Sequence, residues 1–147
     1  MTDILRRFED MTPKAFAPGE ALMEEGRETG KLYVLKSGSV EVRRRGFKIV
    51  TISDPGAVLG EMSALLDRPH TATVTALTPV EAYGLEEGLK FLEARPALAL
   101  HVAALLAKRL ENSTELVARL RQGAVKQKAD VGMFERLLGF LTGRASG

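Results

Sequence analysis

The chain has 147 residues, 45% of them hydrophobic and 27% charged, with a formal net charge of +2. This composition is typical of one globular domain. The small excess of positive charge predicts no nucleic-acid-binding surface. The lack of cysteine excludes disulfides, thiolate metal sites and cysteine nucleophiles. No apolar run approaches the roughly 20 residues that span a bilayer, and the N-terminus lacks the apolar stretch of a signal peptide, so we expect a cytoplasmic protein without a membrane span.

The first predicted element is a short N-terminal helix over residues 2 to about 12. Ile4, Leu5 and Phe8 share one of its faces, as the helical period requires. Thr12-Pro13 ends the pattern, because proline does not continue a helix.

From Phe16 to about Leu85 the sequence predicts a series of short strands. Alternating segments are separated by glycine and proline turns at roughly ten-residue intervals, which is typical of a small antiparallel barrel or jelly roll. The basic run Arg43-Arg44-Arg45 precedes Gly46 between two segments, so we interpret it as a solvated hairpin turn rather than a contact with a phosphate backbone. The predicted strands cover residues 21–24, 31–36, 39–43, 48–53, 71–77 and 80–85.

Helix returns near Glu87 and dominates after Pro96, in a long alanine- and leucine-rich stretch from Ala97 to Gln122 that we expect Gly123 to end. Apolar positions along this stretch are spaced alternately by three and four residues, which is the a/d seam of a heptad repeat. A seam that extends beyond one small barrel predicts a parallel homodimer; the alternative is a helix packed only on its own barrel. The seam consists of Ala103, Leu106, Leu110, Ser113, Val117 and Leu120.

The last part of the chain predicts a polar linker, residues 126–130, and a short amphipathic tail helix. We expect the tail helix to fold back on the domain or the dimer; the alternatives are docking to another protein and insertion into a membrane surface. The predicted domain covers residues 1–122, with its β-roll at about 16–86 and its long helix at about 96–122, and the linker and tail cover 123–147. The apolar face of the tail helix contains Met133, Phe134, Leu137, Leu138 and Leu141.

The most informative stretch is residues 60–74, which runs Gly-Glu-Met-Ser-Ala-Leu-Leu-Asp-Arg-Pro-His-Thr-Ala-Thr-Val. A glycine turn lets the backbone approach a phosphate, and the N–H groups at the start of the next helical turn favour an anion. Glu61 can accept a hydrogen bond from a sugar hydroxyl, and Thr71, on the strand after the proline, can donate one to a phosphate oxygen. Taken singly, Glu61 could merely complement a helix dipole and Thr71 could belong to the polar face of a strand. Together, in this order, they predict a pocket for a small phosphorylated ribose.

This stretch resembles the phosphate-binding cassette of the cyclic nucleotide-binding domain family, in which Gly-Glu and several mostly apolar residues precede Pro-Arg-(Ala/Ser/Thr)-Ala-(Thr/Ser)-Val. The resemblance implies an α+β fold: an eight-stranded antiparallel β-roll (jelly roll) with a short N-terminal helix and a long C-terminal dimerisation helix. It also implies a cyclic nucleotide as the ligand. Gly60 would then form the turn, Glu61 would accept from the ribose 2′-hydroxyl, the backbone around Met62 and Ser63 would donate to the phosphate, and Thr71 would supply a hydroxyl to it.

One position departs from the family pattern. His70 stands where the family has the arginine that pairs with the cyclic phosphate. Arginine presents a planar, permanently charged fork, whereas histidine has fewer donors and is charged only part of the time near neutral pH. Three outcomes are open: His70 binds as an imidazolium, Arg68 or Arg109 supplies the charge, or the pocket has stopped binding cyclic nucleotides. A fourth interpretation gives His70 no ligand role.

The long helix carries a second resemblance, over residues 106–117, to the dimerisation helix of cAMP-binding members of the family. It implies that Ser113 and Thr114 contact adenine and that Arg109 lies near the ligand. Ser113 interrupts an otherwise apolar seam, which costs stability unless its hydroxyl finds a partner, and an adenine edge would be one. The alternatives are a polar residue that sets the helix register, or a serine bonded to a carbonyl of its own helix.

These observations favour a cytoplasmic regulatory domain that binds cAMP, with cGMP possible, without chemical change and signals through its long helix or tail to a downstream protein partner. The alternative is a degenerate fold that acts as a dimeric interaction scaffold with weak or no nucleotide binding. A metal-dependent cupin-like enzyme would need clustered histidines and carboxylates, and the chain has only His70 and His101, so we expect neither an enzyme nor a metal. Too few residues follow Gln122 for a helix-turn-helix domain, so we expect no direct DNA binding.

Overall fold

The structure, a computed structural model, describes residues 2–126. The chain divides into two compact units, Met1–Val102 and Ala103–Gly147. The part described contains a 3-10 helix at Thr2–Phe8, eight strands and three α-helices. The strands are β1 (Lys14–Phe16), β2 (Ala21–Met23), β3 (Leu32–Ser37), β4 (Val40–Arg44), β5 (Phe47–Ile52), β6 (Val58–Leu59), β7 (Thr73–Ala76) and β8 (Val80–Leu85). The helices are α1 (Glu61–Leu66), α2 (Gly88–Glu93) and α3 (Pro96–Lys126).

The strands form two four-stranded antiparallel sheets, in the orders β1-β8-β3-β6 and β2-β7-β4-β5. Their alternating apolar side chains meet in one buried core, which confirms the predicted eight-stranded β-roll. Strands β1 and β6, of three and two residues, were not predicted. The core residues are Leu22, Met23, Tyr33, Leu35, Val40, Ala57, Leu59, Val74, Ala76, Val80 and Ala82.

The N-terminal helix packs on the roll through its apolar face. Phe8 is almost fully buried, and its ring stacks on Tyr83 of β8 at 5.1 Å and on Phe91 of α2 at 6.1 Å between centroids. The predicted extent, to about residue 12, is wrong: the helix is of the 3-10 type and ends at Phe8. The N–H of Met11 closes a turn onto the Phe8 carbonyl at 2.9 Å, which directs the chain into β1.

The arginine run ends in the predicted β4–β5 hairpin turn: Arg43 and Arg44 are the last residues of β4, and Arg45 is in the turn. Arg45 and Gly46 both have positive φ, 53° and 81°, as the two-residue turns that match strand twist require. Arg43 donates a hydrogen bond from Nη1 to the carbonyl oxygen of Gly46 at 3.2 Å. The run therefore belongs to the hairpin, with its last residue in the turn.

Helix α3 crosses the boundary between the two units. Leu98 and Val102 are buried within the first unit. In the second unit two residues of the predicted seam are exposed, Leu110 by 66% and Val117 by 42%, and Leu106 and Leu120 are half-buried. The prediction that Gly123 ends the helix is wrong, since a mid-helix glycine costs only about 1 kcal/mol relative to alanine and α3 continues to Lys126.

The predicted amphipathic tail lies outside the described residues, and so does most of the predicted linker. Within residues 2–126, no helix combines the length and the apolar character needed to cross a membrane.

Candidate functional site

Gly60 forms the turn that joins β6 to α1. Its φ of 87° is in the left-handed region that favours glycine, and it is the N-cap of the helix. A Cβ added here would lie 2.7 Å from the carbonyl oxygen of Lys31 and 3.4 Å from Cε1 of His70. Glycine is thus required both by the backbone conformation and by the close approach of a neighbouring chain segment.

The first turn of α1 places a carboxylate and a hydroxyl in the interior. Glu61 is 8% exposed and Ser63 is 3% exposed, whereas Met62 between them points towards solvent. The hydroxyl of Ser63 donates to the carbonyl oxygen of Arg68 at 2.5 Å, and the Arg68 N–H donates back to the Ser63 carbonyl at 3.3 Å. These two bonds join the residues at either end of the segment from Ser63 to Arg68, which connects α1 to Pro69.

His70 lies in the loop before β7, with a residue exposure of 3%. Its backbone is bonded on both sides to the β2–β3 connection: its N–H donates to the Arg27 carbonyl at 2.9 Å, and its carbonyl accepts from the Gly26 N–H at 2.8 Å. Burial lowers the pKa of its imidazole from the usual 6.5, which favours the neutral ring. The uncharged form therefore predominates near neutral pH.

Thr29 is a residue of this site that the sequence analysis missed. Its Oγ1 lies 2.6 Å from Nε2 of His70, and it also accepts a hydrogen bond from the Lys31 N–H at 3.2 Å. Thr29 is 41 residues from His70 in sequence and outside every motif, so no local pattern could have indicated the contact.

Thr71 and Met62 show that the two ends of the 60–74 stretch meet in space. Thr71 is half-buried, and its hydroxyl points at Sδ of Met62 at 4.0 Å. The prediction that Thr71 lies on a strand is wrong, because β7 begins at Thr73. Met62 is on α1, so the fold brings together the predicted residues from both halves of the stretch, which are Gly60, Glu61, Met62, Ser63, His70 and Thr71.

The predicted helix residues lie in the second unit. The hydroxyl of Ser113 donates to the Arg109 carbonyl at 3.0 Å, and that of Thr114 donates to the Leu110 and Glu111 carbonyls at 3.1 and 2.9 Å. A serine bonded to its own helix, one of the alternatives, is therefore the observed arrangement. Adenine contacts by these hydroxyls stay a prediction, and so does a role for Arg109.

Two further features bear on the chemistry of the site. Within residues 2–126, no three histidine or carboxylate side chains are grouped so that they could hold a metal ion. A cavity of about 590 Å³ beside the N-terminal helix shares no residue with the 60–74 stretch. Its lining is Leu5, Arg6, Glu9, Met11, Thr12, Pro13, Lys36 and Tyr83.

Comparison with known proteins places this geometry in context. The profile of the cyclic nucleotide-binding domain family matches residues 13–89, which include the whole 60–74 stretch. The CRP-like cAMP-activated global transcriptional regulator of Mycobacterium tuberculosis is 28% identical over 116 residues, which cover 75% of this chain and 52% of the regulator. A cGMP-dependent protein kinase of Eimeria tenella is 39% identical over 66 residues, 45% of this chain and 6% of the kinase.

Among solved structures, the catabolite activator protein of Thermus thermophilus superposes with a TM-score of 0.65 at 25% identity, covering 82% of this chain and 58% of that one. The N-terminal domain of a transcriptional regulator from Streptomyces coelicolor A3(2) gives 0.53 at 31% identity, with coverages of 78% and 84%. The chain spans about half the length of the Mycobacterium regulator. The family match at residues 13–89 covers all eight strands and the 60–74 stretch.

Proposed function

Because the chain belongs to the cyclic nucleotide-binding domain family, we propose that it is a regulatory domain that binds cAMP without turning it over. The observation that carries the proposal is the arrangement of the first turn of α1. There Gly60 is left-handed, Glu61 is buried, and Ser63 is bonded back to Arg68. A buried carboxylate one residue after a glycine turn is suited to accept from a ribose hydroxyl.

The phosphate would approach the backbone at the beginning of α1. The first hydrogen bond within this helix runs from the Ala64 N–H to the Gly60 carbonyl, so the Met62 and Ser63 N–H groups precede it. The hydroxyl of Thr71 lies beside Met62 and would add a donor. These contacts are the family's arrangement, carried to the residues of this chain that match its motif.

The identity of the base stays open between adenine and guanine. One relative is described as cAMP-activated and another as cGMP-dependent, so the family likeness supports either nucleotide. The proposal favours cAMP because Ser113 and Thr114 occupy positions on α3 that match adenine-contacting residues of cAMP-binding members. Arg109 would lie near the ligand in the same arrangement.

The second unit would carry the signal. Its seam residues Leu110 and Val117 are exposed, as expected of a helix that pairs with a second copy in a parallel homodimer. Ligand binding would shift this helix or the tail and so alter contact with a downstream protein, without direct contact to DNA. Location in the cytoplasm stays a prediction from the sequence.

The test is isothermal titration of the whole chain with cAMP and with cGMP. We expect saturable binding of at least one of them, weakened about 10- to 100-fold by Glu61→Gln, because a hydrogen bond to a charged group contributes roughly 1.5–3 kcal/mol. Glu20→Gln is the matched control, since Glu20 is an exposed carboxylate outside the cassette. Equal affinities in the two variants would exclude Glu61 as the ribose acceptor.

A second candidate function is a dimeric interaction scaffold with weak or no nucleotide binding. The hydrogen bond between His70 and Thr29 favours it, because a ring nitrogen at the position of the family's arginine is already engaged within the protein. No saturable uptake of either nucleotide at millimolar concentration would support this candidate and overturn the first.

A further inference from the structure

The position that meets the phosphate in this family differs here in its capacity to donate hydrogen bonds. A cyclic phosphodiester carries one negative charge, and an arginine meets it with two parallel N–H groups and a permanent charge. In this chain the position holds His70, a residue that is 3% exposed and bonded through its backbone to Gly26 and Arg27. The side chain is therefore held in place by its surroundings.

The ring nitrogens of His70 can be accounted for one by one. Nε2 lies 2.6 Å from Oγ1 of Thr29, so it is engaged whichever of the two atoms carries the shared proton. If the proton is on Nε2, the neutral ring has an acceptor at Nδ1, which repels a phosphate oxygen. If Thr29 donates, Nδ1 carries the proton and offers a single neutral N–H. In both cases the ring falls short of what a guanidinium provides.

Thr29 itself is fixed by a second hydrogen bond. Its Oγ1 accepts from the Lys31 N–H at 3.2 Å, within the segment whose Lys31 carbonyl passes close to Gly60. The His70 ring has its Cε1 edge towards Gly60. The segment of the β2–β3 connection that holds Thr29 against His70 is thus the same segment whose close approach requires glycine at position 60.

We propose that Thr29 is a specificity-determining residue. Because it engages Nε2 of His70, the site has little affinity for the charge of a phosphate. The site therefore selects its ligand by the ribonucleoside part. The inference rests on the proposed function, because it concerns the same site and takes Glu61 as the group that accepts from the ribose. Its consequence is that an uncharged ribonucleoside binds nearly as tightly as the corresponding cyclic nucleotide.

The experiment compares two ligand pairs, cAMP with adenosine and cGMP with guanosine, by isothermal titration of the whole chain at low and at high salt. For the pair whose base is accepted, we expect dissociation constants within about tenfold of each other. We also expect cAMP or cGMP binding to depend little on salt, because a neutral imidazole stands at position 70 where the family has a permanently charged guanidinium.

Three variants test the role of Thr29. Thr29→Val keeps the shape and frees Nε2, so the preference for the cyclic nucleotide should rise severalfold. His70→Arg should raise it about 10- to 100-fold and make binding salt-dependent. Thr51→Val, at an exposed position on β5, should leave the ratio unchanged and serves as the control.

A spectroscopic measurement separates an effect of Thr29 on ligand preference from a purely structural role of this residue. In imidazole ¹⁵N spectra of the free chain, His70 should keep a hydrogen-bonded Nε2 that Thr29→Val abolishes, with His101→Gln used to assign the two histidines. A folded Thr29→Val chain with an unchanged Nε2 signal and an unchanged ligand ratio would overturn the inference.

The outcomes separate the two proposals. A cyclic nucleotide bound more than a hundredfold tighter than its nucleoside by the unmodified chain would overturn the role of Thr29 and leave the proposed function intact. Binding of none of the four ligands would overturn the proposed function and this inference with it. Comparable affinities within a pair, together with a restored preference in His70→Arg or Thr29→Val, would support both.

Discussion

The hydroxyl of Ser63 and the carbonyl oxygen of Arg68 are joined by a hydrogen bond of 2.5 Å, which ties the first turn of α1 to the residue before Pro69. Ser63 is buried, so removing its hydroxyl leaves a carbonyl with poorer access to water. The bond joins the first turn of α1, which carries the predicted backbone contacts to the phosphate, to the loop before Pro69.

Ser63→Ala is therefore expected to lower the free energy of unfolding by about 0.5–1.5 kcal/mol, the usual net contribution of one hydrogen bond. Urea denaturation followed by circular dichroism measures it. Ser53→Ala, at an exposed position, is the control and should change stability by less than about 0.5 kcal/mol. Similar midpoints for the two variants would mean that the Ser63 bond does not stabilise the loop.

Gly60→Ala is expected to destabilise the fold more than an ordinary glycine substitution. The new Cβ adds a contact of 2.7 Å with the Lys31 carbonyl to the strain of a φ of 87°. Gly19→Ala is a matched control, because Gly19 has a φ of 92° but open space around its Cα. Backbone strain of this kind costs about 1–3 kcal/mol, so Gly19→Ala should show that loss and Gly60→Ala a clearly larger one. Equal losses in thermal denaturation would remove the argument for steric exclusion at position 60.

The stability of the chain should depend on pH through His70. Burial lowers the pKa of its imidazole in the folded chain below the 6.5 of the unfolded one. Below about pH 6.5 the unfolded chain therefore binds a proton that the folded chain does not, and stability falls as the pH falls through this range. Above it the contribution is fully present.

Urea midpoints between pH 5 and pH 8 measure this dependence. His70→Gln should flatten the slope on the acid side, whereas the control His101→Gln replaces the other histidine of the chain. A loss of slope of the same size in both variants would contradict the assignment to His70.

The homodimer proposal gives a prediction for the seam of α3. Leu110→Glu places a charge at a position that is 66% exposed in the single chain and would be buried between two helices. Burying a leucine contributes roughly 1.5–3 kcal/mol, so dimerisation should weaken about tenfold or more. Sedimentation velocity over a range of concentrations measures it. Leu100→Glu is the control, because Leu100 is 72% exposed but lies off the heptad seam, and a dimer that dissociates equally in both variants would refute this interface.

Much of the architecture could be predicted from local pattern. Alternation and glycine turns predicted a β-roll, and the order of residues from Gly60 to Val74 predicted the cassette and its family. Two predictions from local pattern were incomplete or wrong. Strand β6, with two residues, was not predicted, and Gly123 was expected to end α3, which continues past it. Helix continuation depends on the summed propensity of its neighbours, which one glycine lowers only slightly.

The sequence by itself determined the class of the fold, the family and the positions of Gly60, Glu61 and His70, because each depends on residue type and spacing along the chain. Only the tertiary structure decided what surrounds those positions. The contact of Thr29 with His70 joins residues 41 apart and exists because the β2–β3 connection passes over the cassette. A hydrogen bond between distant segments leaves no periodic signal in the sequence. The partner of His70 therefore became known only from the tertiary structure.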